Sequence, residues 1–209
     1  MEKLKFIITI TLAAWAFQAC NSNTKSDTKS EADSVNAAKI DSAAKDTGSK
    51  TTGNANDTAS KTSNLIEKGD ASFAVEAASV GLTEVALGKI AEQKGVNKRV
   101  KNFGRMMVTD HTKANDKLVA LAKSKNITLP SAPDADGQKK IDELSEKSGT
   151  EFDQAYVNYM ADDHKKAIKT FENAAKNCAD PDIKVFAYKT LHVLQKHLDA
   201  INTIHDSMK

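Results

Sequence analysis

Asp-His is written twice in this chain, at Asp110-His111 within VTDHTKA and at Asp163-His164 within ADDHKKA, and a methionine stands one helical turn before each histidine, at Met107 and Met160. Imidazole nitrogens and carboxylate oxygens are the usual protein ligands of transition metals, and a thioether adds affinity for copper(I). The same letters also fit two turns of ordinary helix, in which flexible Met fills gaps in a core. Position decides which reading deserves weight.

Stepping by three and four along each helical stretch picks out its buried stripe. The first stripe runs Phe73, Ala77, Val80, Leu87, Ala91 and takes in Glu84. The second runs Val100, Phe103, Met107, Ala114, Leu118 with His111 inside it and Asp110 at its edge. The third runs Phe152, Tyr156, Met160, Ile168, Phe171 with His164 inside and Asp163 beside it, and the fourth runs Ile183, Phe186, Leu194, Ile201 with His197 inside. Each stripe is thus interrupted once by a group that can hold a metal or a proton. At about 1.5 Å of rise per residue, all four interruptions fall near mid-helix, within a turn or two of one another.

A buried carboxylate or imidazolium without a partner costs several kcal/mol, comparable with a domain's net stability. Two arrangements avoid that cost. A transition metal, whether iron, copper or zinc, would use Glu84, His111, His164 and His197 as ligands, with Asp110 and Asp163 behind them or as alternative ligands. A metal-free polar layer would let the same groups hydrogen-bond across the core. Glu76 shares the stripe side of Glu84 as a weaker ligand candidate, while His192 flanks its stripe and His205 suits the negative end of a last helical turn.

The elements that position these groups are helices. The first begins after Asp70 or Ser72 and stops at Gly95, and the second begins after Asn97 and fades at Asn126. A short amphipathic stretch over 138–147 crosses over to a third helix that follows Thr150 and ends near Cys178. Asp180-Pro181 then supplies a cap and a first-turn proline for the fourth. Four long helices with tight first and last turns predict an all-α fold, a four-helix bundle of two antiparallel hairpins with a short crossover helix. VKNFGRMM at 100–107 also aligns with IKVFAYKT at 183–190, Ala91 with Ala174 and Asn97 with Asp180, as though the second hairpin were a diverged copy of the first. The Asp-His pairs have a different offset, so duplication does not explain them.

Ahead of this domain, taken as 71–209, residues 1–19 combine Lys3 and Lys5, an apolar run from Phe6 to Ala16 and a small residue before Cys20. That pattern is an export signal with a run too short to span a bilayer. Cysteine directly after it resembles the lipid-bearing first residue of a lipoprotein, so the expected partner is a membrane, reached through an anchor on Cys20. Asn21 favours the outer membrane by the same resemblance, and plain secretion to the periplasm or beyond is the alternative. Residues 20–70 are Asn, Ser, Thr, Lys, Asp and Ala with little to bury, and are expected to be a disordered tether reaching about 40 Å. Loss of the leader removes two lysines and one glutamate and leaves a net charge of +1. A nearly neutral protein has no electrostatic footprint for nucleic acid. Cys178 reads as a small buried hydrophobe.

Three segments together carry a family likeness: the run from FAVEAASVGLTEVALGK through MMVTDHTKANDKL, FDQAYVNYMADDHKKAIKTFENAA, and DPDIKVFAYKTLHVLQKHL. From Ser72 to His205 the chain resembles the bacterial domain of unknown function 4142 family. The resemblance implies a ferritin-like, secreted or membrane-anchored protein and no established activity. Ferritin-like di-iron proteins pair Glu residues with Glu-x-x-His motifs, and no Glu-x-x-His occurs at His111, His164 or His197. No serine or cysteine nucleophile signature, phosphate-binding glycine loop or zinc-type cysteine spacing occurs either. The expected function is therefore metal binding in the cell envelope, for sequestration or stress resistance, with a ferritin-like oxidoreductase as the less favoured reading. The alternative is a non-catalytic interaction module whose polar core layer is metal-free.

Overall fold

The computed structural model describes residues 27–46 and 66–209. They form helices only: α1 (Thr28–Asp46), α2 (Lys68–Lys94), α3 (Lys98–Ser124), α4 (Ala135–Glu146), α5 (Gly149–Asn177) and α6 (Pro181–Asp206). Helices α2 and α3 pack along each other as one hairpin and α5 and α6 as the other, and the hairpins meet through α3 with α6 and α2 with α5. The fold is all-α, with α4 as the crossover element lying against α2 and α5.

Local chemistry sets the helix ends. Gly95 terminates α2 and returns its N–H to the Ala91 carbonyl, and the Asn97 side chain caps α3 by accepting from the Arg99 N–H at 2.8 Å. Asp180 caps α6 by accepting from the N–H groups of Asp182 and Ile183, with Pro181 at the first helical position where no N–H is needed. Asn126, at φ 56°, turns the chain out of α3.

The duplication seen in the sequence has a structural counterpart. Asp70, near the start of α2, is buried, and its two carboxylate oxygens accept from the N–H groups of Ala179 and Asp180 at 2.9 and 2.7 Å. Asp153, near the start of α5, is buried and accepts from Val96 at 3.2 Å and Asn97 at 2.7 Å. Asp153 follows Asp70 at the same offset that separates Asp180 from Asn97. Each hairpin therefore caps the turn of the other with an aspartate.

Two apolar clusters fill the bundle. One holds Phe73, Ala77, Leu118, Ala167, Phe171 and Leu194, and the other holds Leu87, Phe103, Met107, Tyr156, Met160 and Ile201. Along every long helix the polar interruption falls between members of the two: Glu84 between Ala77 and Leu87, His111 between Met107 and Leu118, His164 between Met160 and Ala167, His197 between Leu194 and Ile201. The polar layer is the waist of the bundle. Gly88 and Gly104 bring α2 and α3 together beside it, since a Cβ on Gly88 would stand 2.8 Å from the Gly104 carbonyl oxygen and one on Gly104 2.7 Å from that of Gly88.

The expectation of a disordered tether over 20–70 needs correction at 28–46, which form α1 against the bundle. Composition misleads there because the docking is polar. Asn36 is buried and makes two bonds with the Thr128 backbone, accepting from its N–H at 2.7 Å and donating to its carbonyl at 2.9 Å. Lys39 donates to the Asn126 carbonyl and the Thr128 hydroxyl, Thr28 donates to the Ala132 carbonyl, and Lys29 pairs with Glu76. Ala32 and Ile40 supply the apolar contacts. The signal over 1–19, the anchor at Cys20 and the rest of the expected tether lie outside the described residues.

Because the Asn36 bonds are the buried part of this docking, Asn36→Ala is expected to weaken it by about 1–3 kcal/mol. Amide exchange should show α1 losing protection while α5 keeps its own. Unchanged protection in α1 would mean that these bonds do not hold it.

Candidate metal centre

Glu84 from α2, His111 from α3, His164 from α5 and His197 from α6 all reach the waist, with relative exposures of 2, 6, 0 and 1%. The three imidazoles face one another. His111 Nε2 lies 3.3 Å from His197 Nδ1, and His164 Nε2 lies 3.4 Å from the same atom. Each ring has a separate partner on its far side. Glu84 Oε2 stands 2.7 Å from His111 Nδ1, the Met160 carbonyl oxygen 3.0 Å from His164 Nδ1, and Asp110 Oδ2 2.9 Å from His197 Nε2.

Those partners assign the protons. A carbonyl can only accept, so His164 Nδ1 carries its hydrogen, and an ionised carboxylate at Glu84, whose carboxyl burial pushes up, or at Asp110 would place the hydrogen on His111 Nδ1 and His197 Nε2. A neutral ring has one N–H, so in that tautomer set His111 Nε2, His164 Nε2 and His197 Nδ1 present lone pairs to one another. Burial keeps the rings neutral, holding His111 and His164 down at about pKa 4 and lowering His197 as well. Three acceptors facing one another form a group that could hold a cation.

Tetrahedral zinc at 2.0–2.1 Å from nitrogen places its ligands about 3.3–3.4 Å apart, whereas octahedral ligands at that bond length would lie about 2.9 Å apart. Two of the three separations, at 3.3 and 3.4 Å, equal the tetrahedral figure, and the histidine ligand atoms all lie within 4.8 Å of one another. A carboxylate or carbonyl holding the outer nitrogen is how metal-bound histidines are ordinarily oriented, and here all three have one. The rings of His164 and His197 are walled by Phe103, with centroids 6.4 and 6.2 Å away.

The sequence-derived residues thus meet, with a different division of roles. Glu84 does not point at the three-nitrogen focus but stands behind His111. Asp110 stands behind His197, on another helix. Asp163 lies near Glu84 and His164, with burial and the neighbouring Glu84 raising its carboxyl to about pKa 7. Glu76 is engaged with Lys29 away from the centre. Met107 and Met160 belong to the apolar cluster, and the Met160 contribution that sequence reasoning missed is its backbone carbonyl. Cys178 is buried, and burial pushes its thiol up to about pKa 12, so it stays unreactive.

The arrangement could hold a metal ion through the buried histidines. The family profile for the domain of unknown function DUF4142 matches residues 55–204. The chain belongs to that family. No curated protein matches it. Among solved structures, the DUF4142 chain resembles a DUF305 fragment from Deinococcus radiodurans at a TM-score of 0.61 with 9% identity, over 68% of this chain and 98% of that one. It also resembles a "putative secreted protein DUF305" from Streptomyces coelicolor at a TM-score of 0.58 with 11% identity, over 67% of this chain and 93% of that one. At such identities the likeness is one of fold.

Proposed function

We propose that this DUF4142 protein binds one transition-metal ion at the waist of its bundle through His111 Nε2, His164 Nε2 and His197 Nδ1, and does so in the bacterial cell envelope. The observation that carries the reading is the convergence of three buried imidazole nitrogens, two of their separations being 3.3 and 3.4 Å. Neutral nitrogen donors suit zinc and copper(I) better than the oxygen-preferring ions. Zinc fits the spacing first. Three protein ligands leave a fourth position, and a cleft of about 170 Å³ between α3 and α6, lined by Asp110, His111 and Leu194, offers the ion a path in. Sequestration follows from so enclosed a site, in which the rings are held ready and little must reorganise on binding.

Envelope placement is supported by the leader and Cys20 in the sequence, and by the secreted description of the Streptomyces structure. A membrane anchor on Cys20 would leave the bundle at the end of a shortened tether, since α1 is docked.

Metal titration of chelator-stripped protein, read by elemental analysis and by competition with a chromogenic chelator, tests the reading. One tightly held zinc or copper(I) per chain is expected. Retention unchanged in both His111→Ala and His164→Ala would remove the site and leave the metal-free polar layer. Asp110→Asn gives a finer measurement. It removes the anionic acceptor behind His197 without touching the focus, and the same competition assay should show affinity falling about 10–100-fold.

A further inference from the structure

Glu84 is 2% exposed, and only one of its oxygens is satisfied. Oε2 is taken by His111, while Oε1 is buried with no hydrogen-bond partner, as is Oδ2 of Asp163. Ligand atoms of Glu84, Asp163 and His164 lie within 4.8 Å of one another. The His164 ring has already been accounted for, with Nδ1 on the Met160 carbonyl and Nε2 on the imidazole focus. Two carboxyl groups therefore remain, each with a buried oxygen that has no hydrogen-bond partner, and Glu84 Oε1 stands 3.6 Å from His164 Nδ1, beyond hydrogen-bond reach. Two neighbouring carboxyl oxygens need a positive centre between them, either a shared proton or a bound cation.

Asp163 also lines a cleft of about 450 Å³ bounded by α2, α4 and α5, with Tyr159, Thr83 and Asp134 among its walls. Asp163 is the member of the pair that borders this cleft. The four lysines of the cleft leave the two oxygens unpartnered: Lys29 is paired with Glu76 and Lys140 with Glu143, and neither Lys139 nor Lys166 bonds Glu84 Oε1 or Asp163 Oδ2.

We propose that Glu84 and Asp163 form a second cation site, distinct from the imidazole centre, which takes a divalent ion of the manganese or magnesium class through carboxylate oxygens and water from the cleft. Few protein oxygens with several retained waters is the usual coordination of such ions. The proposal shares with the zinc reading only Glu84, whose other oxygen orients His111, and the two sites differ in donor type, oxygen against nitrogen.

The test loads the full chain with one equivalent of zinc, adds Mn²⁺, and counts bound Mn²⁺ by electron paramagnetic resonance. About one Mn²⁺ per chain is expected, with at least a tenfold loss of Mn²⁺ affinity in Asp163→Asn and zinc retained. Should the variant fold poorly, wild-type NMR decides. Bound Mn²⁺ should broaden the Tyr159 ring resonances and spare the Val96 methyls at the end of the bundle. No Mn²⁺ uptake by the zinc-loaded protein, uptake indifferent to Asp163→Asn, or broadening elsewhere would overturn the second site, the first two by showing that the carboxyls share a proton or bind nothing. Zinc stoichiometry, measured in the same samples, judges the imidazole centre separately.

Discussion

Zinc added to the chelator-stripped protein is expected to raise its thermal unfolding midpoint by about 10 °C or more, and His197→Ala is expected to abolish that rise. Binding to the folded state alone adds RT ln(1 + [L]/Kd), about 4 kcal/mol at a free zinc concentration a thousand times Kd. For a domain of this size each kcal/mol is worth roughly 2–5 °C in midpoint. His197 is the critical position because its Nδ1 is the atom that both other nitrogens face, at 3.3 and 3.4 Å. Its removal leaves two imidazoles with no ligand joining them. The substitution also costs stability without metal, since it empties a fully buried position, so the quantity to measure is the increment that zinc produces in each protein. Exogenous imidazole, which can fill the space left by the ring, should restore part of the increment. An equal zinc increment in wild type and variant would sink the three-nitrogen centre.

Much of the scaffold was legible because its signals are local. Asn97, Gly95 and Asp180-Pro181 satisfy backbone groups within their own turns, and those helix ends lie where the residues put them. The start of α2 was misjudged by a few residues because Asp70, which looks like a cap, spends both oxygens on the α5–α6 turn. That bond is tertiary and has no local mark. Helix α1 escaped for a related reason, its attachment resting on one buried amide, Asn36, in a stretch whose composition argues against burial. The close approach of Gly88 to Gly104 likewise becomes visible only when the two helices are side by side.

At the site, helical stepping was enough to bring Glu84, His111, His164 and His197 to one height, because period and rise are fixed by the backbone. Stepping cannot say which nitrogen of a ring turns inward. That depends on partners such as the Met160 carbonyl and Asp110, and it demoted Glu84 from the focus to a supporting place. The internal duplication sharpens the meaning of the layer. At the offset that relates Asp70 to Asp153, Glu84 corresponds to Ala167, His111 to Leu194, His164 to Gly81 and His197 to Ala114. The fold builds the equivalent layer from small and apolar residues, so packing does not require the histidines. Their presence at only one of the two equivalent layers is what a site, rather than a structural necessity, would produce.

In metal-free protein Asp163→Asn is expected to be more stable than wild type at pH 8 by up to about 4 kcal/mol, with the advantage shrinking toward pH 4. Burial and the adjacent Glu84 raise the Asp163 carboxyl from 3.8 to about 7 in the folded chain. A carboxyl raised on folding favours the folded state below the unfolded value and loses that contribution as pH rises through the folded one, at about 1.4 kcal/mol per unit of difference. Asparagine has no such loss. The histidines act in the opposite sense. His111 and His164 are held near 4 against 6.5 unfolded, so their contribution is present above 6.5 and disappears as pH falls toward 4. In wild type the aspartate trend partly offsets that of the two histidines between about pH 4 and 6.5. Removing Asp163 lifts that offset, and the variant's stability should climb more steeply with pH across that window. Urea unfolding at a series of pH values, with chelator present, measures both curves. Parallel curves would show that Asp163 titrates in the folded protein as it does in the unfolded chain, and that Glu84 and Asp163 do not compete for one positive charge.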